Sequence, residues 1–135
     1  MLGKFFGGIT VASLGASSFI LFVTPHTNAS RTVNLIGGYV FGVISGTAFS
    51  FLYTMFNTLD FAGVDLVLSI VCASAAAVTT FLMVWMRKVH PPAAALALGL
   101  AADPKSAQVA AAAVISVAIL CVIRHCLSKH LINLI

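Results

Sequence analysis

The stretch Arg87-Lys88-Val89-His90-Pro91-Pro92-Ala93-Ala94-Ala95-Leu96-Ala97-Leu98-Gly99-Leu100-Ala101-Ala102-Asp103-Pro104 decides how this chain is laid out. Its apolar run, Pro91 to Ala102, with a helix over about 91–101, is too short to cross a bilayer. A spanning helix needs roughly 20 apolar residues, because each adds 1.5 Å toward about 30 Å of hydrocarbon. Runs of about 10–14 are re-entrant or buried pieces. Two prolines open the run at the first helical positions, where a missing amide costs nothing, and Asp103-Pro104 closes it as a turn. The stretch reads as a half-helix, buried in protein or lining a wet cavity, because irregular backbone inside a membrane needs that shelter.

On either side lie charge-poor segments of full spanning length: about 5–23, 35–56 and 65–86 before it, and 106–127 after it. The last includes Arg124, whose long side chain can snorkel to the interface. The sequence therefore predicts an all-α membrane protein, a single domain over residues 1–135. It has four transmembrane helices plus a short re-entrant half-helix after the His-Pro-Pro motif. Composition points the same way. Of 135 residues, 61% are hydrophobic and 7% charged, against about 25% charged in soluble domains. The mean hydropathy is +1.12. So few charges cannot cover a water-soluble globule, and disorder, nucleic-acid binding and a secreted disulfide scaffold are excluded. Cys72, Cys121 and Cys126 are an odd number in apolar surroundings and read as reduced thiols. Segment 5–23 is longer than a signal-peptide core and lacks a small-x-small site before Thr24, so it reads as a retained span.

Charge leaves the orientation open. A full crossing by 5–23 puts Lys4, Arg124 and Lys129 with Asp60 and Asp65 on one face, and Arg31, Arg87, Lys88 and Lys105 on the other. That split is too even for the positive-inside rule. A dip instead of a crossing would move Lys4 to the second group; the length of the segment favours the crossing.

Gly38, Gly42 and Gly46 recur every four residues in the second span and leave one helix face bare for a close neighbour. Ser69, Ala73 and Ala77 form a similar face in the third span, and Ala110, Ala113 and Ser116 a looser one in the fourth. The glycine face serves either packing within one chain or contact between subunits. Little interior remains for a solute path in so small a chain, so a homo-oligomer is expected through glycine and alanine faces. The two halves also echo each other. Leu14–Phe22 runs to Pro25 and then to a glycine-rich span, and His90–Leu98 runs to Pro104 and then to an alanine-rich one. Internal repeats of this kind occur in transporters.

Chemistry concentrates in Arg87-Lys88-Val89-His90-Pro91-Pro92. Basic and titratable groups stand directly before a proline-initiated helix, whose free amides at Ala93 and Ala94 and positive dipole end would attract an anion. The plainer alternative is a basic stop signal with His90 capping the helix. Arg31 and Asn34 lie in and just after the loop that follows Pro25. Ser17 and Ser18 carry hydroxyls inside an apolar run, and such serines often bond their own backbone. Cys121, His125, Cys126 and His130 form two i, i+4 pairs. The pairs point in different directions, and Arg124 and Lys129 would repel a cation, so no metal is expected. No carboxylate sits within a span and no nucleophile motif is present. A Ser17–His90 pair would need something to orient the histidine, so no enzyme is expected.

Val89-His90-Pro91-Pro92-Ala93-Ala94-Ala95-Leu96-Ala97-Leu98 resembles the signature of the HPP family of small integral membrane proteins. Ser13-Leu14-Gly15-Ala16-Ser17-Ser18, with Phe22 and Pro25, is similar to that family's upstream Gly-Ala-Ser element, and Arg31, Asn34 and Gly38 fall at matching places. The resemblance covers about residues 11–125. It departs at Thr27-Asn28-Ala29-Ser30, where further prolines and a glutamine are frequent. It implies a four-span transporter of a bacterial inner or plastid-type membrane, since plant and cyanobacterial members are linked to nitrite. Taken together, the residues and the resemblance lead to an expectation of a small-anion transporter or channel, nitrite first, without cofactor. The rival is a non-transporting assembly protein. The expected substrate-binding residues are Gly15, Ala16, Ser17, Ser18, Arg31, Asn34, Lys88, His90, Pro91, Pro92, Ala93 and Ala94, with the Gly15–Ser18 and His90–Ala94 elements facing each other.

Overall fold

In a computed structural model of the chain, the described residues are 2–58, 64–103, 105–128 and 131. Asp60, Pro104, Lys129 and His130 lie outside them, as do the side chains of Lys4 and Asp65. Regular structure among the described residues is all helical. Helix α1 covers Leu2–Val23, α2 Thr32–Thr58, α3 Val64–Trp85, α4 Pro92–Ala102 and α5 Ser106–Leu127, with a single 3-10 turn at Asn28–Ser30. Four helices are long and one is short, as the spacing of charges predicts. By length and composition α2, α3 and α5 can each cross a membrane, whereas α4 is a shorter apolar helix; of α1 the part described with its side chains, Gly8–Val23, is apolar.

The distribution of side chains is that of a protein solvated by lipid. Phe51, Phe81, Trp85, Ile115 and Val122 point outward and are largely exposed, while Ser13, Ser17, Ser45, Thr79 and His90 are buried. Several inward hydroxyls bond within the bundle, although the buried Thr10 hydroxyl has no partner among the described residues. Ser45 on α2 pairs with Thr79 on α3, and each also reaches a carbonyl on its own helix. These two hydroxyls, unable to reach water, are thus matched inside.

Helix α4 is the core. Eight of its residues are buried, from Pro92 through Ala102, and it packs against α1, α2 and α3. A helix apolar on every side belongs in such a place, and its alanines and glycine let the long helices close around it. The bed for α4 is the glycine face of α2. A Cβ added at Gly42 would stand 2.6 Å from the Ala93 carbonyl oxygen, and one at Gly46 would stand 2.8 Å from the Leu100 Cβ. Of the two readings of this face, packing within one chain is the one seen: it is filled by α4 of the same chain. Ser69, Ala73 and Ala77 of α3, by contrast, face outward, and Ala110 and Ala113 of α5 face the core.

Contacts also fix the direction of each helix. His90 lies against Gly38 near the start of α2, and the Ser50 hydroxyl, farther along α2, donates to the Asp103 carbonyl at 3.3 Å. Helix α4 thus descends beside α2 for roughly 18 Å, at 1.5 Å per residue. Helix α5 then climbs back, for Arg124 donates from Nη1 to the Thr32 hydroxyl (2.7 Å) and from Nη2 to the Pro25 carbonyl (3.2 Å). Two sidedness expectations are corrected here. Lys105 is not with Arg31, Arg87 and Lys88 but at the far end of the bundle, and Arg124 joins those three instead of opposing them. The reason is that α4 does not bring the chain back to its starting end before α5 begins.

Candidate functional site

The connection from α3 to α4 makes one wall of an open cup, and the loop from α1 to α2 makes the other. At the end of α3 the chain turns sharply. The Arg87 amide donates to the Val84 carbonyl (3.1 Å) and the Lys88 amide to the Met83 carbonyl (2.8 Å), with Arg87 in the left-handed region at φ 53°. These are the two bonds of a Schellman helix ending. Opposite, the buried Ser30 hydroxyl donates to the Pro25 and Thr27 carbonyls at 2.6 and 2.7 Å, and the Asn34 side-chain amide donates to the Asn28 carbonyl at 2.7 Å. Short polar side chains thereby hold the loop shut on itself.

Between these walls is a cavity of about 760 Å³ whose polar lining is Asn28, Arg31, Asn34, Arg87 and Lys88. Its apolar rim includes Val33, Val84 and Val89. The stem of Lys88 lies along Gly37, where an added Cβ would sit 3.0 Å from the Lys88 Cβ; this seat keeps the lysine half-buried. Among the described residues the one carboxylate side chain is Asp103. It is occupied at the other end of the bundle, accepting from the Lys105 amide at 2.8 Å. The three cations of the cup therefore face no described acid.

Directly behind the cup stands His90, fully buried. Its Nδ1 is 2.9 Å from the Ala29 carbonyl oxygen. That oxygen only accepts, so Nδ1 carries a hydrogen. Its Nε2 is 2.9 Å from the Ser17 hydroxyl, which also meets the Tyr39 hydroxyl at 2.8 Å. The His90 amide reaches the Met83 sulfur at 3.5 Å. This clasp joins α1, α2, the α1–α2 loop and the start of α4. His90 lies in the connection outside the spanning helices, and burial lowers its pKa from the ordinary 6.5, with the bond to Ala29 opposing in part. The histidine is oriented as in a Ser–His pair, yet Ser17 is fully buried, and neither residue lines the cup.

The twelve expected site residues thus divide. Arg31, Asn34, Lys88 and Pro91 line the cup. Ser17 and His90 meet each other behind it. Pro92 and Ala93 are buried and Ala94 is half-buried. The amides of Ala93 and Ala94, expected to be free, donate to the His90 and Pro91 carbonyls at 3.0 and 3.1 Å, because the helix opens with a tight turn of its own. Of the upstream element only Ser17 faces the motif. Gly15 and Ala16 are exposed, with nothing within 4 Å of a Cβ built at Gly15, and Ser18 donates to its own Leu14 carbonyl at 3.0 Å. Sequence reasoning missed Asn28 and Ala29, which lie in the stretch that departs from the resembled pattern. Arg87, named in the basic run but not among the twelve, also lines the cup.

A family model described as HPP, transmembrane region, matches residues 5–134. No curated protein and no solved structure matches the chain.

Proposed function

As the chain belongs to the HPP transmembrane family, we propose that it carries a small inorganic anion across its membrane, with nitrite the leading candidate, and catalyses no chemical change. The observation that supports this most is the cup itself, in which Arg31, Arg87 and Lys88 converge on one cavity with no described carboxylate to neutralise them. Uncompensated positive charge at a concave surface raises the local anion concentration and speeds capture. Guanidinium groups add directed donors for an oxyanion.

His90 and Ser17 meet behind the cup, so on this reading a path leading inward from it would require the clasp to part. The helix directions favour such an alternating device. The α1–α2 pair rises and then falls, whereas α4–α5 falls and then rises, the inverted arrangement common in secondary transporters. The outward Ser69, Ala73 and Ala77 of α3 support a homo-oligomer in the bilayer. Arg31, Arg87, Lys88 and Arg124 share one end, which favours that end facing the cytoplasm or its organellar equivalent, in a bacterial inner or plastid-type membrane.

The purified protein in liposomes should take up nitrite in preference to an empty-vesicle control, and Arg31→Gln should reduce the rate about tenfold while the protein stays folded. Vesicles that move none of nitrite, nitrate, formate or chloride would favour a non-transporting assembly role instead.

A further inference from the structure

Arg87 occupies a position where its backbone pays for its side chain. It is the sole non-glycine residue with positive φ among the described residues, and it stands at the point of the α3 ending where glycine is the usual occupant. An L-residue there brings its Cβ too near the following carbonyl, a strain that glycine escapes. Nothing in the packing asks for arginine: the side chain is exposed and lies against the cup beside Arg31 and Lys88. Strained backbone that persists where a simpler residue would relieve it points to a use for the side chain.

Building on the anion reading above, we infer that Arg87 is a direct anion-binding residue of the cup, retained against the stability of the α3 ending. The left-handed turn is also what sends the chain back so that Lys88 can lie along Gly37 and enter the same cavity. Consecutive residues thus deliver two cations to one space from a single turn.

Two variants and two readouts test this. In Arg87→Gly the charge is lost and the strain relieved; in Arg87→Lys a charge and the strain both remain. The thermal midpoint in detergent without added anion should rise by roughly 4 °C in Arg87→Gly and stay near wild type in Arg87→Lys. Added sodium nitrite should raise the midpoint of the wild type and, more weakly, of Arg87→Lys, but not of Arg87→Gly. Nitrite uptake into liposomes should follow the same order. A binding shift in the wild type that is lost in Arg87→Gly, with no uptake by either, would support Arg87 and defeat the transport reading alone. An Arg87→Gly protein that keeps the full nitrite-dependent shift, or that is less stable than wild type without nitrite, would overturn the inference.

Discussion

His90 shows how a single side chain is committed by its partners. Both ring nitrogens are engaged, to Ser17 and to the Ala29 carbonyl, so truncation to alanine removes both bonds, although Ser17 keeps the Tyr39 hydroxyl as a partner and the Ala29 carbonyl borders the open cup. Each bond lost contributes about 0.5–1.5 kcal/mol, and His90→Ala should lower stability in detergent by roughly 1–3 kcal/mol in all. The pH dependence has a definite sign. Burial depresses the pKa in the folded protein below the ordinary 6.5, so below that value the unfolded chain binds the extra proton and stability falls as pH drops. The midpoint should decline when pH is lowered from about 7 to 5, and His90→Gln should flatten that decline. A midpoint rising with acid would contradict the buried neutral ring. Transport should accordingly vary little with pH around neutrality, because the imidazole stays uncharged there. That differs from the behaviour of an unperturbed histidine exposed in the path.

Among the elements, α4 and the glycine face of α2 form the contact that makes the bundle possible. Gly42→Ala and Gly46→Ala place a methyl group against the Ala93 carbonyl and the Leu100 Cβ, and overpacking of this kind costs about 1–3 kcal/mol. Gly15→Ala is the matched control. With open space around it, the added methyl should gain about 0.5–1 kcal/mol from helix propensity. Thermal midpoints of the three variants check both signs at once; equal effects would mean that α4 does not rest on this face. The comparison also marks what the sequence could disclose. Charge-free lengths and the twin prolines revealed the four long helices and α4, because hydrocarbon thickness and proline chemistry are local constraints. The four-residue glycine spacing revealed a close contact but not its occupant, since spacing carries no information about which neighbour arrives. In the candidate site, Arg31, Asn34 and Lys88 were legible as polar residues in a polar-poor chain. Asn28 and Ala29 were not, because one contributes through a loop fold and the other through a backbone carbonyl.

At the scale of the whole molecule, the account rests on the alternation of helix directions that brings Arg31, Arg87, Lys88 and Arg124 to one end and Lys105 to the other. In a background lacking Cys72, Cys121 and Cys126, cysteine introduced as Arg87→Cys and as Lys105→Cys should react with an impermeant maleimide from opposite sides of sealed vesicles. Labelling of both from one side would mean that α4 returns the chain to the end it left, and the basic end would lose Arg124. On the proposed reading, the gathering of cations makes the short core helix and its flanking loops an electrostatic entrance for an anion, with His90 behind it. That entrance can be observed directly. Crystals grown in detergent or lipid with iodide should show anomalous density in the cup, beside Arg31 and Lys88 and within reach of Arg87. Iodide ordered elsewhere on the protein, with the cup empty at the same concentration, would contradict the account.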